Sequence, residues 1–285
     1  MWISDLWQDY ALLDCADGER LERWGGVTLI RPDPAVLWSD RNADWSRFDA
    51  RYERSGTGGG HWDVRKKNLT KAWEIGFEGL EFYVSLMNFK HTGIFPEQAV
   101  NWNWLKTVCA PGTSVLNLFA YTGAATLACA SVGASVCHVD AAKGMVERAR
   151  RNAELSNLAD KPIRWIVDDC REFVSREIRR GRRYDAIIMD PPAYGRGAKG
   201  EIWKLEDDIF SFCKLCADAL SDNPAFVLIN SYTTGLSPTV LTYLAESVFS
   251  KRFGGTAESR ELGLKVQSTG LALPAGASCR WTTAV

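Results

Sequence analysis

Residues 115–123, Val115-Leu116-Asn117-Leu118-Phe119-Ala120-Tyr121-Thr122-Gly123, decide how the rest of the chain reads. An apolar run of strand length, Val115 to Leu118, gives way to small residues just before a helical pattern that starts at about Ala124. In such a turn, backbone N–H groups can approach a ligand at the positive end of the helix. Ala120, Thr122 and Gly123 keep that approach open, although Gly123 would equally serve close helix packing. The G-x-G-x-x-G of a dinucleotide site is absent.

Downstream, strands and helices alternate. Ser135 to Val139 reads as a strand, Lys143 to Leu155 as a helix and Ile163 to Val167 as a third strand. This βαβαβ order predicts an α/β fold with a parallel sheet, and ligands bound beyond the carboxyl ends of its strands. The pattern continues through a charged helix around Glu172 to Arg180, a strand from Asp185 to Met189, a helix around Leu205 to Leu220 and a strand from Ala225 to Asn230. A helix near Pro238 to Phe249 leads into a β-rich tail.

Upstream the character differs. Val27 to Ile30, stopped by Arg31-Pro32-Asp33-Pro34, and Gly79 to Leu86 read as strands. Ser55-Gly56-Thr57-Gly58-Gly59-Gly60 lacks the following Gly-Lys-Ser/Thr of a phosphate loop and reads as a flexible connector. The expected organisation is a small β-rich domain over 1–90 and an α/β domain over 91–285.

Three further strand ends carry carboxylates. Asp140 stands where an acid can accept hydrogen bonds from both ribose hydroxyls of a nucleoside, or can cap a helix. In Asp168-Asp169-Cys170, Asp169 is favoured to accept from an adenine amino group, with helix capping as the competitor. Asp190-Pro191-Pro192-Ala193-Tyr194 is the sharpest element. Two prolines remove two donors and stiffen an extended turn that aims Asp190 and carbonyls into the crevice.

Bulk properties set limits. With 285 residues, 46% of them hydrophobic, the chain can bury a full core. Its 34 Lys and Arg against 35 Asp and Glu give a net charge of -1, so any attraction to a polyanion must be local. Arg65-Lys66-Lys67 with Lys71 is one local candidate. Eight cysteines scattered through apolar segments read as reduced thiols in a cytoplasmic protein, and Cys213 and Cys216 as helix core, since a zinc site wants four ligands. Neither a signal sequence nor about 18 consecutive apolar residues is present, so no membrane segment is expected.

Together these motifs resemble class I S-adenosylmethionine-dependent methyltransferases, and more narrowly the branch that modifies large-subunit ribosomal RNA. The resemblance runs from about Phe82 to the C-terminus. It rests on Lys90-His91-Thr92-Gly93-Ile94-Phe95-Pro96-Glu97-Gln98, on the 115–123 stretch, and on Asp190-Pro191-Pro192. It implies a Rossmann-like, mainly parallel seven-stranded sheet with the last strand antiparallel, closed by a hairpin from about Glu258. It also implies that Thr92, Gly93, Phe95 and Gln98 lie over the cofactor and help hold its methionine end. The cofactor site so read comprises these four, Asn117, Phe119, Ala120, Tyr121, Thr122, Gly123, Asp140, Asp169, Cys170 and Asp190.

Two departures bear on the acceptor. Several members carry a PUA-type RNA-binding module, which the first ninety residues do not display. Members that methylate cytosine C5 place a nucleophilic Cys after the fifth strand, where this chain reads Leu228-Ile229-Asn230-Ser231-Tyr232-Thr233-Thr234-Gly235 without a cysteine, and a neutral hydroxyl such as Ser231 is a poor substitute. A base nitrogen of RNA, ribosomal RNA above all, is therefore the expected acceptor. Methyl transfer from a sulfonium is an in-line displacement, in which orientation can lower the barrier by roughly 7–11 kcal/mol, and it calls for no metal. Asp190, Pro191 and Pro192 are expected to orient the acceptor, and Tyr194 to stack on a planar ring. A nicotinamide-dependent oxidoreductase and a catalytically silent RNA-associated protein of the same fold are the rivals. The first should carry the missing glycine motif; the second should bind RNA without consuming cofactor.

Overall fold

The structure, a computed structural model, describes residues 1–56, 59–87, 89–196, 202–233 and 236–283. Contacts divide the chain into two compact units, Met1–Val100 with Leu262–Ala275, and Asn101–Glu261 with Gly276–Val285.

The first unit is β-rich. Its strands are β1 (Trp2–Ser4), β2 (Tyr10–Ala16), β3 (Glu19–Trp24), β4 (Val27–Pro32), β5 (Ala50–Arg54), β6 (Gly60–Val64), β7 (Trp73–Phe77) and β8 (Leu80–Val84). β2 to β6 form a five-stranded sheet in chain order, and β7 pairs with β8. Asp17 and Gly18 turn β2 into β3 with φ of 53° and 75°, the left-handed pair that a two-residue hairpin turn needs. On either side of the glycine-rich stretch, β5 and β6 pair antiparallel, and Ser55 N–H donates to the Gly59 carbonyl at 3.2 Å. Thr57 and Gly58 of that stretch lie outside the described residues. Inside the unit, fully buried Glu22 accepts from Arg31 Nε at 2.6 Å and from the Tyr10 hydroxyl at 2.8 Å, so its charge is paired as burial demands.

The second unit follows α1 (Ala99–Val108) with β9 (Ser114–Leu118), α2 (Ala124–Ser131), β10 (Ser135–Asp140), α3 (Lys143–Leu155), β11 (Ile163–Val167), α4 (Cys170–Arg179) and β12 (Ala186–Met189). A small hairpin of β13 (Tyr194–Arg196) and β14 (Ile202–Lys204) precedes α5 (Leu205–Ala219) and β15 (Phe226–Ser231). α6 (Pro238–Ala245), a π turn over Glu246–Ser250 and a last helical turn, α7 (Lys251–Phe253), lead to β16 (Thr256–Lys265) and β17 (Ala272–Thr282).

The large sheet has the order β1-β16-β17-β15-β12-β9-β10-β11. β11, β10, β9, β12 and β15 are parallel neighbours, and β17 is antiparallel to β15. This is the expected sheet with an eighth strand added, because Trp2–Ser4 pairs parallel with Leu262–Leu264. Both faces of the inner strands are apolar. Val115, Ala186, Ile188, Phe226 and Leu228 join one core cluster, while Leu116, Leu118, Ile187, Met189, Val227 and Ile229 join another. The alternation has period two and buries both sides, as a helix-covered parallel sheet requires. Strand order reverses at β9, which by the rule for open α/β sheets makes the carboxyl ends of β9 and β12 the ligand-binding edge.

All eight cysteines are free and buried, and Cys213 and Cys216 face core from α5. Among the described residues no helix is long and apolar enough to cross a membrane.

Candidate active site

The turn after β9 alternates its backbone. Phe119, Tyr121 and Gly123 have φ of 55°, 50° and 87°. A non-glycine residue in that region costs about 1–3 kcal/mol and persists only where its surroundings hold it. Here they do. Phe119 N–H donates to Cys170 Sγ at 3.2 Å, Ala120 N–H to the Val139 carbonyl at 3.0 Å and Tyr121 N–H to Asp140 Oδ2 at 2.8 Å. Asn152 on α3 donates to the Thr122 carbonyl at 2.9 Å. Gly123 caps α2, and a Cβ there would sit 2.9 Å from Ala149 Cβ. Its close packing and its left-handed backbone are thus required together.

Asp140 ends β10 and ties the loop to α3. Its Oδ1 accepts from Ala142 N–H at 2.8 Å while Oδ2 holds Tyr121, which leaves each oxygen a second lone pair for a ribose hydroxyl. Burial raises its carboxyl above the usual range, only partly offset by those two N–H groups. Asp169 caps α4, accepting from Glu172 N–H at 3.0 Å, and Asp168 is paired with Arg176. Cys170 lies under the loop with its thiol pushed up by burial.

Asn117 is buried, and its amide donates to Thr126 Oγ1 at 2.9 Å. That oxygen stands 3.0 Å from His138 Nδ1. The two atoms share a hydrogen bond whose direction follows the imidazole tautomer. Burial, with Arg150 nearby, brings this histidine down to about 3, so it stays neutral. No linear pattern announces this Asn117-Thr126-His138 brace, because it joins β9, α2 and β10 only in the fold.

The Asp190 turn lies against the same loop. Asp190 N–H donates to the Leu118 carbonyl at 3.3 Å. Trp203 on β14 donates from Nε1 to the Pro192 carbonyl at 2.7 Å, and its ring lies 5.5 Å from Phe119 and 5.5 Å from Phe212. Tyr194, on β13, is 52% exposed. Sequence reading missed the β13–β14 hairpin and Trp203; two three-residue strands carry too little periodicity to find. At the end of β15, Ser231 is buried and its Oγ accepts from Thr233 N–H at 3.3 Å.

The segment with Thr92, Gly93, Phe95 and Gln98 belongs to the first unit. The Thr92 carbonyl accepts from Ser85 N–H at 2.8 Å, Gly93 has φ of 118°, and Phe95 packs edge-on to His91 at 5.5 Å. Gln98 is buried, and its N–H donates to the Phe95 carbonyl at 3.0 Å. Thr92 is fully buried, and its hydroxyl has no hydrogen-bond partner among the described residues. Of the basic run in this unit, Arg65 is engaged by Asp63 and the Phe48 ring and Lys66 by Asp49, while Lys67 and Lys71 are exposed.

Comparison with known proteins identifies the family and the fold. The family model of S-adenosylmethionine-dependent methyltransferases matches residues 35–209. Ribosomal RNA large subunit methyltransferase K of Neisseria meningitidis is 30% identical over 184 residues, 64% of this chain and 47% of that protein. Ribosomal RNA large subunit methyltransferase K/L of Syntrophotalea carbinolica is 27% identical over 185 residues, 64% of this chain and 24% of that protein. The chain thus spans about half or less of these curated relatives. A crystal structure of a SAM-dependent methyltransferase from Agrobacterium tumefaciens superposes with a TM-score of 0.93 at 35% identity, covering 99% of this chain and 93% of that one.

Proposed function

This chain belongs to the S-adenosylmethionine-dependent methyltransferase family, and from that premise we propose that it methylates RNA, ribosomal RNA in the first place, at a base nitrogen and not at cytosine C5. Its cofactor is S-adenosylmethionine, whose sulfonium supplies an electrophilic methyl group when bound. The site residues suit that cofactor. The left-handed turn at Phe119 to Gly123 brings backbone close to a ligand, Asp140 keeps lone pairs for ribose hydroxyls, and Asp169 keeps acceptor capacity for an adenine amino group. The family resemblance assigns Thr92, Gly93, Phe95 and Gln98 to the methionine end, and the unpartnered Thr92 hydroxyl is compatible with that role.

The observation that carries the reading is the bonding of the acceptor turn to the cofactor loop. Asp190 N–H bonds to the Leu118 carbonyl, and Trp203 spans Pro192 and Phe119. A rigid turn fixed in this way can hold a nucleophile at attack distance, and Asp190 can orient it by accepting a hydrogen bond from an exocyclic amine or ring N–H. Tyr194 is exposed beside it and offers a ring on which the base can stack.

The choice of nitrogen rests on the thiols. C5 methylation needs a thiolate to attack the pyrimidine, yet every cysteine is buried, and burial pushes the thiols of Cys170, Cys213, Cys216 and Cys279 up. Ser231, a hydroxyl in the stretch where such a cysteine would stand, is a weak nucleophile whose Oγ already accepts a backbone hydrogen bond. The names of the two bacterial relatives favour large-subunit ribosomal RNA as the acceptor, and eight unpaired thiols favour the cytoplasm.

Incubation with methyl-labelled cofactor and large-subunit ribosomal RNA, some of it tritiated at cytosine C5, tests the proposal. The expected product on nucleoside digestion is a base methylated on nitrogen, with no release of tritium. Label in 5-methylcytosine, with tritium released, would overturn the assignment of the atom. No transfer to any RNA would overturn the substrate class.

A further inference from the structure

A cluster on the second unit takes no part in the strand-end site. α4 passes into β12 through Arg179-Arg180-Gly181-Arg182-Arg183, and all four arginines are exposed. Beneath them Glu177 is fully buried, and three guanidiniums converge on it: Arg164 Nη1 at 2.7 Å, Arg180 Nη1 at 3.1 Å and Arg182 Nε at 3.9 Å. The Tyr184 hydroxyl donates to the same carboxylate at 2.6 Å. Burial alone would raise this carboxyl, but hydrogen bonds from Arg164, Tyr184 and Arg180 outweigh it and hold it below the usual range. Glu177 is therefore a charged anchor that orients a fan of guanidiniums.

Arg179 and Arg183 do not share in that anchoring. Among the described residues neither forms an ion pair, and Arg183 Nη1 only reaches the Arg182 carbonyl at 2.9 Å. Fold stability does not account for them, since adding like charges beside three cations is repulsive. Three guanidiniums meet one buried carboxylate and two further arginines flank them along the chain, each with five donors in a planar fork, in a protein whose net charge is -1. Such a local excess matches a polyanion with repeated phosphates.

We propose that the Arg164, Arg179, Arg180, Arg182 and Arg183 cluster is a docking surface for the RNA phosphate backbone, remote from the reacting base; this rests on RNA being the acceptor. The cluster and the acceptor turn stand at opposite ends of β12, separated from Arg183 to Asp190 by about 20 Å of extended chain. An RNA that meets both must be folded or long, so the enzyme would discriminate against a short oligonucleotide carrying the same target base. The arginines add affinity without reading sequence.

The test is an Arg179→Gln, Arg183→Gln double variant, which leaves the guanidiniums on Glu177 in place. Binding of polyuridylate and of protein-free large-subunit ribosomal RNA would be followed by fluorescence anisotropy from low to moderate salt. The docking surface predicts roughly tenfold weaker binding at low salt, and a log–log salt slope on polyuridylate smaller by about 1.4. Cofactor affinity and melting temperature should match wild type. A companion variant, Lys67→Gln with Lys71→Gln, should bind like wild type; equal losses in both variants would mean general charge loss and would overturn the proposal. So would an unchanged slope in the arginine variant when wild type binds RNA, an outcome that leaves RNA as the acceptor and returns the cluster to an acidic partner. Wild type without affinity for any RNA would overturn both proposals.

Discussion

Asp140 and Asp190 end neighbouring parts of one sheet, yet their removal should have opposite signatures. Asp140→Ala deprives Tyr121 N–H and Ala142 N–H of their acceptor and removes the two lone pairs proposed for the ribose. Losing hydrogen bonds to a charged group costs about 1.5–3 kcal/mol, so titration calorimetry with S-adenosylhomocysteine should show affinity falling by roughly a hundredfold. Asp190→Ala should leave that affinity within a few fold of wild type and abolish turnover; normal turnover would remove Asp190 from the mechanism. pH offers an independent check. Burial raises Asp140, and its ionised form is the one that accepts from both sides, so cofactor affinity should fall on acidification at a higher pH than an exposed aspartate would dictate. Flat affinity down to the ordinary range near 4 would contradict this. Both carboxylates were legible in the sequence because each follows an apolar strand. His138 and Thr126 were not, since a buried histidine bonded through a threonine leaves no spacing to read.

Among the elements, the β13–β14 hairpin carries the least regular structure and a specific mechanical task. Trp203 contributes an indole N–H to Pro192 and an aromatic face to Phe119 and Phe212. Trp203→Phe keeps the rings and deletes the donor, whereas Trp203→Ala deletes both. If the hydrogen bond sets the acceptor turn, the phenylalanine variant should bind cofactor normally with kcat lowered about five- to tenfold, the loss of roughly 1–1.5 kcal/mol. The alanine variant should lose cofactor affinity as well, since Phe119 would no longer be packed in its left-handed backbone. Steady-state kinetics beside calorimetry separates the two, and an equal loss of cofactor affinity in both variants would show a purely structural role. The long helices and inner strands were readable because their apolar periods are sustained. β1, β13 and β14, at three residues each, were not, and β5–β6 was hidden by a glycine-rich turn and the polar, mixed run His61-Trp62-Asp63-Val64.

At the scale of the whole molecule the chain returns to its beginning. Leu262–Ala275 belongs with Met1–Val100, and within that unit Leu262, Leu264, Val266 and Leu273 are almost fully buried. Gln267 N–H donates to the Leu12 carbonyl at 2.9 Å, Ser268 N–H to the Leu13 carbonyl at 3.0 Å, and Ser268 Oγ to Asp14 Oδ1 at 2.7 Å. Asp14 in turn accepts from the Trp45 indole at 2.8 Å and from Asn42 N–H at 2.7 Å, so the returning hairpin completes a polar knot that orders the 42–45 turn. No linear pattern in the sequence announces such a return, because β16 and β17 look like any closing hairpin. A fragment starting at Asn101 would keep 262–275 without the packing that buries it. Exposing four aliphatic side chains costs about 6–12 kcal/mol, comparable to the whole stability of a domain. The fragment 101–285 should therefore aggregate or lose near-ultraviolet circular dichroism, and replacing 262–275 in it by a short polar turn should restore a soluble monomer. A monomeric 101–285 that melts like the intact chain would mean that the hairpin buries itself without the first hundred residues.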